Sequence, residues 1–155
     1  MRRLVNSIVI AATLSFLTAC GGPMVNIGLN SNESLNPDRK GDPLPVVIRV
    51  YQLNDKGAFQ SATFNQIWKN DESILGKTLL SRNELILNPN SKDEIEVDRH
   101  EEAKYLAIVA IFRNPIERKW RALEDISAGW VSRKLDLSET IQVSLVGNTL
   151  RITEQ

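Results

Sequence analysis

The residues that could act as catalytic acids, bases or nucleophiles are few, and they form no recognisable site. The chain of 155 residues contains one histidine, His100, within the run Asp98-Arg99-His100-Glu101-Glu102. A hydrolase triad needs a histidine that is held by a carboxylate and lies beside a nucleophile, but the sequence has no Gly-x-Ser-x-Gly motif. We therefore interpret His100 as a surface residue in a polar connection that precedes a strand.

The sequence also contains no pattern typical of other catalytic sites or of metal sites. Zinc sites use several Cys or His ligands, whereas this chain has one residue of each type. The paired carboxylates Asp93-Glu94 and Glu124-Asp125 would point to opposite faces of a strand, so neither pair can converge on one glycosidic bond. A calcium loop and a glycine-rich phosphate loop are also missing from the sequence. The sequence predicts a protein that is not an enzyme and holds no metal.

The single cysteine, Cys20, has the clearest chemical role. It ends Leu17-Thr18-Ala19-Cys20, after the basic start Met1-Arg2-Arg3 and a mostly apolar run. This order is typical of a signal peptide, and the run is too short for a comfortable membrane span, which needs about 20 residues. Leu-x-Ala-Cys resembles the lipobox of bacterial lipoproteins, in which the cysteine is acylated and becomes the first residue of the mature chain.

The lipobox resemblance implies where the chain is cut and what anchors it. We expect residues 1–19 to be removed as a signal peptide and residues 20–23 to form a lipidated tether, with acyl chains on Cys20 and no other cofactor. Gly21 resembles the class that is sent to the outer membrane. The folded domain would then face the periplasm.

The charge balance argues against nucleic acid as a partner. Without Arg2 and Arg3, the chain keeps 17 basic side chains against 19 acidic ones. Such a balance does not favour binding to a phosphate backbone. One domain, residues 24–155, accounts for the mature chain.

Strand signals dominate this domain. Alternating or β-branched segments predict strands, and the turn at residues 88–91 suggests a hairpin between two of them. The spacing of apolar residues changes to that of a helix at Phe64, Ile67 and Trp68. We therefore predict a helical insertion at about residues 61–76, in one or two pieces. Ser61 would be its N-cap, and Gly76 would end it. Strands are predicted at residues 24–29, 46–53, 85–87, 95–97, 105–112, 120–126, 141–145 and 150–152. The pattern predicts an all-β fold, a two-sheet β-sandwich with one small helical insertion.

A long polar segment separates the first two strands. It comprises Asn30, Ser31, Asn32, Glu33, Ser34, Leu35, Asn36, Pro37, Asp38, Arg39, Lys40, Gly41, Asp42, Pro43 and Leu44. Irregular loops beyond about 12–15 residues are uncommon in compact domains and are often functional. Leu35 would be an apolar anchor for a partner, and Asp38, Arg39, Lys40 and Asp42 a charged rim. The alternative is an idle surface loop in which Asn36-Pro37-Asp38 is simply a turn.

An ordered set of segments behind the lipobox resembles the TssJ family of type VI secretion lipoproteins. The segments are Leu35-Asn36-Pro37-Asp38, the stretch from Gly41 to Leu53, Phe59-x4-Phe64, the turn at Asn88-Pro89-Asn90, Val109-Ala110-x-Phe112-Arg113 and Trp120-Arg121. The resemblance implies a transthyretin-like sandwich tethered to the outer membrane. It also implies binding to the periplasmic C-terminal domain of TssM, and through it to the TssL-containing membrane complex. The loop after the first strand is the contact element that the resemblance implies.

A second function stays open on the sequence alone. The chain could be a periplasmic lipoprotein that binds a small ligand or a glycan in a pocket between the sandwich and the helical insertion. Phe64, Trp68 and Trp120 would then line the pocket.

Overall fold

The computed structural model describes residues 24–127 and 140–153. The predicted signal peptide (1–19), Cys20 and the tether (20–23) lie outside these described residues. The strands are β1 (Met24–Ser31), β2 (Val46–Leu53), β3 (Leu79–Leu87), β4 (Lys92–Asp98), β5 (Tyr105–Ala110), β6 (Arg121–Asp125), β7 (Ile141–Val146) and β8 (Thr149–Thr153). The helices are α1 (Gly57–Ser61) and α2 (Phe64–Leu75), followed by a 3-10 turn (Gly76–Thr78).

The strands form two four-stranded sheets, which confirms the predicted two-sheet β-sandwich. Sheet A has the order β4-β1-β7-β8, and sheet B has the order β3-β2-β5-β6. The β1–β7 pair is parallel, and all other pairs are antiparallel. Alternate residues of each strand, such as Val25, Ile27 and Leu29 of β1, are buried in the core between the sheets.

The predicted hairpin at residues 88–91 is wrong. β3 pairs with β2 in sheet B, whereas β4 pairs with β1 in sheet A, so the turn carries the chain from one sheet to the other. An alternating pattern specifies which face of a strand is buried, but it does not specify the neighbouring strand. The Ser31 hydroxyl donates to the Asn88 carbonyl over 2.6 Å and fixes this crossover at the end of β1.

The helical insertion is longer than predicted and begins with a different cap. It extends from Gly57 to Thr78, and Ser61 ends α1 instead of starting a helix. Thr63 caps α2: its hydroxyl accepts from the Gln66 amide, while the Gln66 side chain accepts from the Thr63 amide over 2.8 Å. Non-helical backbone at Asn70 divides α2 into two pieces.

Two arginines of sheet B attach the insertion to the outer face of that sheet. Arg49 donates to the carbonyls of Ile67 and Trp68, both over 3.1 Å. Arg121 likewise donates to the carbonyls of Phe59, Gln60 and Ala62 at 2.6–2.9 Å. Both arginines pair with Val109 of β5, so the insertion lies across this central strand. Both faces of β5 are therefore covered, which explains why its sequence is continuously apolar.

Asp71 of α2 is the acidic centre of this attachment. Its carboxylate accepts from the Tyr51 hydroxyl over 2.7 Å and lies 3.2 Å from Arg49 and 2.9 Å from Arg82. Glu84 binds the other side of both guanidinium groups at 2.8 Å. Burial alone would raise the pKa of the Asp71 carboxyl, but the Tyr51 hydrogen bond and the two arginines outweigh burial and hold this pKa below its usual range.

The substitution Asp71→Asn tests this attachment. Removing the charge leaves Arg49 and Arg82 with Glu84 as their remaining shared carboxylate and takes away the charged acceptor of the Tyr51 hydroxyl, so we expect the free energy of unfolding to fall by about 1–3 kcal/mol near pH 7. Because the folded pKa is lowered, the contribution of Asp71 is complete above the unfolded pKa of about 4 and is lost as the pH falls through the folded pKa.

Urea unfolding between pH 8 and pH 3 is the measurement. The stability gap between wild type and Asp71→Asn should be constant from pH 8 to about pH 5 and should narrow below about pH 4. Glu96→Gln, at an exposed position of sheet A with no ion pair among the described residues, is the control for a change of net charge. An equal loss of unfolding free energy in both variants would show that the ion pairs of Asp71 do not stabilise the attachment of the insertion.

Candidate functional site

The loop between β1 and β2 is shorter than the predicted segment. Asn30 and Ser31 belong to β1, where Asn30 pairs with Lys92 on one side and Ser144 on the other. The strand continues because its neighbours β4 and β7 supply ladder partners even for polar residues. The loop therefore comprises residues 32–45, and we call it the β1–β2 loop.

Backbone hydrogen bonds give the β1–β2 loop a defined conformation. The Leu44 amide donates to the Leu35 carbonyl over 3.0 Å and closes the base of the loop. At its far end the Asp38 carboxylate accepts from the amides of Lys40 and Asp42, at 2.7 and 3.0 Å. Asp38 is therefore bound within the loop and contributes less to the charged rim than predicted.

The interpretation of Leu35 as an anchor for a partner is wrong. Its side chain is 0 % exposed and belongs to the core between the sheets. A polar loop needs at least one apolar side chain in the core if its base is to stay packed, and Leu35 is the apolar residue available near its start. Its substitution would therefore change stability, not the surface that a partner meets.

The buried Asn36 joins the loop to two other segments. Its side-chain amide donates to the Pro45 carbonyl over 2.8 Å, and its side-chain carbonyl accepts from the Arg113 amide over 2.9 Å. Its own amide donates to the Gly147 carbonyl over 2.9 Å. Asn36 has a φ of 47°, a left-handed conformation that asparagine tolerates better than most residues. The Asn36 side chain thus fixes the loop against the start of β2 and the segment after β5, and its backbone amide fixes the loop against the β7–β8 turn.

The tip of the loop is accessible to a partner. Arg39, Lys40, Gly41, Asp42 and Pro43 are all exposed. Three of these residues belong to the predicted charged rim, and the structure brings them together on one rigid turn.

A groove of about 890 Å³ lies beside the loop. Its walls come from the β1–β2 loop, the N-terminal half of α2, residues 111–115 and Asn148. The contributing side chains include Pro37, Asp38, Arg39, Phe64, Asn65, Trp68, Phe112 and Arg113. The structure therefore places the predicted contact loop next to two of the aromatic residues that the ligand hypothesis uses.

The third aromatic residue, Trp120, does not line the groove. It is buried, and its ring meets Phe64 edge-on at a centroid distance of 5.3 Å. Phe64 in turn contacts Trp68 at 6.2 Å. The Trp120 ring thus supports the groove from below, and the prediction that it lines a ligand pocket is wrong because its apolar surface completes the core.

Catalytic chemistry has no geometric basis in the described residues. His100 lies in the connection between β4 and β5, where its backbone amide donates to the Gln52 side chain and its Nδ1 accepts from the Glu102 amide. In residues 24–127 and 140–153, no cluster of His, Cys, Asp and Glu side chains is suited to a metal ion. None of the helices in that part of the chain has the length and apolar character of a membrane span.

Comparison with known proteins identifies the family. The family model described as Type VI secretion lipoprotein, VasD, EvfM, TssJ matches residues 23–146, well over half of the chain. The chain belongs to this family, the TssJ lipoproteins of type VI secretion. No curated protein matches it.

Solved structures show the same fold. The chain is similar to the T6SS lipoprotein TssJ1 from Pseudomonas aeruginosa, with 25% identity, a TM-score of 0.72 and coverage of 86% of this chain and 97% of that one. A chain of a type VI membrane complex gives 24% identity, a TM-score of 0.76 and coverage of 86% and 99%. Serratia marcescens Lip, a membrane-bound component of the type VI secretion system, gives 19% identity, a TM-score of 0.75 and coverage of 84% and 97%.

The structural role of Asn36 in this TssJ-family lipoprotein was not predicted from the sequence. Asn36 was predicted as part of the contact loop, with a turn as the alternative, and neither interpretation gave its side chain the bonds that it makes to residues 9 and 77 positions away. Such partners leave no mark on local sequence. The one available signal was an asparagine immediately before a proline.

The substitution Asn36→Ala measures the role of this side chain. It leaves the Arg113 amide and the Pro45 carbonyl without their partner and places alanine at a positive φ, so we expect a loss of about 2–4 kcal/mol in the free energy of unfolding. Asn90→Ala is the matched control, because Asn90 has a similar φ of 52° but an exposed side chain. It should lose only about 1 kcal/mol. Equal losses in urea unfolding would contradict a structural role for the Asn36 side chain.

Proposed function

We propose that this lipoprotein is a structural adaptor of the type VI secretion membrane complex. It is anchored to the outer membrane by acyl chains on Cys20, and its periplasmic domain binds the C-terminal domain of TssM through the β1–β2 loop. Through TssM it is linked to the TssL-containing part of the assembly. The mechanism is protein docking, and no reaction is involved.

The observation that carries this proposal is the family match over residues 23–146. Two structural similarities support TssM as the binding partner. One is to the chain from a type VI membrane complex. The other is to a chain of a structure described as the T6SS protein TssM C-terminal domain from EAEC, with 22% identity, a TM-score of 0.71 and coverage of 85% of this chain and 98% of that one.

The geometry of the β1–β2 loop supports docking through its tip. The loop is held by Asn36, Asp38 and the buried Leu35, so little conformational entropy is lost when a partner binds. The tip exposes Arg39, Lys40 and Asp42, which would set orientation and association rate. A stable interface buries about 1,200–2,000 Å² in total, which exceeds the tip alone, so neighbouring surfaces must contribute.

The anchor strengthens such an interface without new contacts. Each acyl methylene in the bilayer contributes about 0.8 kcal/mol, so the chains on Cys20 would hold the domain at the membrane. A partner that is also fixed in the cell envelope then meets it at a raised effective concentration. A modest intrinsic affinity is sufficient under these conditions.

The double substitution Arg39→Ala/Lys40→Ala tests docking through the loop. Calorimetry of the full-length lipoprotein in detergent should give a dissociation constant for the TssM C-terminal domain in the micromolar range or tighter. A micromolar dissociation constant corresponds to a binding free energy of about −8 kcal/mol. The double variant should weaken binding at least about tenfold, because both exposed cations lie at the loop tip.

The chain offers a matched control for this experiment. Arg118 and Lys119 form another exposed Arg-Lys pair, and Arg118→Ala/Lys119→Ala should bind as wild type does. If both double variants bind as tightly as wild type does, the contact with TssM lies outside the loop tip. Absence of binding by wild type would overturn the adaptor proposal itself. Leu35→Ala is unsuitable as a probe, because emptying a core position costs about 2–5 kcal/mol of stability.

The substitution Cys20→Ser tests the anchor. Without the sulfur that is acylated, we expect the protein to leave the outer-membrane fraction in a sucrose gradient and to keep its N-terminal segment uncleaved. Mass spectrometry of the purified wild type should show a chain that begins at residue 20 and carries acyl groups. A wild-type chain without acyl groups that still fractionates with the outer membrane would contradict lipid anchoring through this cysteine.

A further inference from the structure

We propose that the groove beside the β1–β2 loop is a second part of the docking surface and binds an extended acidic segment of the partner. An apolar or aromatic side chain of that segment packs on Trp68, and its carboxylates pair with Arg39 and Arg113. This inference rests on the proposed function, since the segment belongs to the TssM C-terminal domain. It goes further by naming the chemistry of the segment and the residues that receive it.

The apolar part of the groove is Trp68. Its side chain is 46 % exposed, and tryptophan is enriched among the residues that dominate binding energy at protein interfaces. The ring does not depend on a partner for its position. Phe64 contacts it and packs edge-on against the buried Trp120, and Arg49 holds the Trp68 carbonyl. A preorganised aromatic surface loses little entropy when an apolar side chain covers it.

The charges around Trp68 select acidic partners. Arg39 and Arg113 line the groove, and neither forms an ion pair with a described residue, since the ion pairs there all involve Arg49 or Arg82. The carboxylate of Asp38, which also lines the groove, accepts from two loop amides. Lys69 adds a third cation, with its Nζ 5.3 Å from the centre of the Trp68 ring. Two guanidinium groups that have no ion pair within the described part of the chain, beside an exposed indole, favour a segment that combines carboxylates with an apolar side chain.

The size and connection of the groove favour a segment of several residues over a single side chain. Its volume of about 890 Å³ lies near the upper end of the clefts that enclose whole small ligands, which span about 300–1,000 Å³. Arg39 belongs to the loop tip that the proposed function uses, and Arg113 is fixed to the same loop through Asn36. A partner that binds the tip therefore lies next to the groove, and one continuous surface supplies the area that the tip alone lacks.

The test uses full-length lipoprotein in detergent and the TssM C-terminal domain, with two groove variants. Trp68→Ala removes the apolar contact, and Arg113→Glu reverses a charge whose side chain is exposed. Each should weaken binding at least about tenfold, and Arg113→Glu should also reduce the dependence of affinity on salt. The controls are Met24→Ala, at a 49 % exposed apolar position at the far end of β1, and Arg151→Glu, at an exposed cation of sheet A. Both controls should bind as wild type does.

The outcomes separate this inference from the proposed function. If the groove variants bind as wild type does while Arg39→Ala/Lys40→Ala weakens binding, docking through the loop stands and the groove inference is overturned. If wild type does not bind, both are overturned. Thermal unfolding of each variant checks folding. Should Trp68→Ala prove unstable, Arg113→Glu decides alone, because its exposed side chain makes no contact that folding requires.

Discussion

The buried side chain of Asn36 is the contact on which the candidate site depends. Its amide group holds the β1–β2 loop to the start of β2 and to the Arg113 amide in the segment after β5, while its backbone amide binds the β7–β8 turn. These segments are distant in sequence and come from both sheets. Without this side chain the loop would lose its bonds to Pro45 and Arg113, and the groove would lose the side-chain link between two of its walls.

The third wall is positioned by charge. α2 lies over sheet B because Arg49 binds its backbone carbonyls and because Asp71 accepts from Tyr51 and lies beside two arginines. Burial and the hydrogen bond to Asp71 also raise the pKa of Tyr51 well above its usual range, so its hydroxyl remains a donor at any physiological pH. Polar contacts at the edge of the core thus position Trp68 together with the buried side chains of Ile67 and Leu75.

Features that depend on local sequence pattern, such as strand positions and buried faces, were predicted correctly. Features that depend on long-range contacts, such as strand pairing and loop attachment, were not. Alternation located the strands and their buried faces, and the change of period at Phe64 located the insertion. The partner of each strand was not encoded locally, so β3 and β4 were wrongly joined in a hairpin. Leu35 was misplaced because a lone apolar residue in a polar loop fits either a core or an interface. Asn36 and Arg49 were missed because their partners lie 9–77 residues away.

We infer that one preformed surface, made of the loop tip and the groove, binds TssM. Hydrogen–deuterium exchange of the full-length lipoprotein with and without the TssM C-terminal domain tests it most directly. We expect slower exchange of the backbone amides on binding at residues 37–44, 65–68 and 111–115, with exchange on the outer face of sheet A unchanged. Protection confined to β4 or β8, with none in the β1–β2 loop, would contradict it.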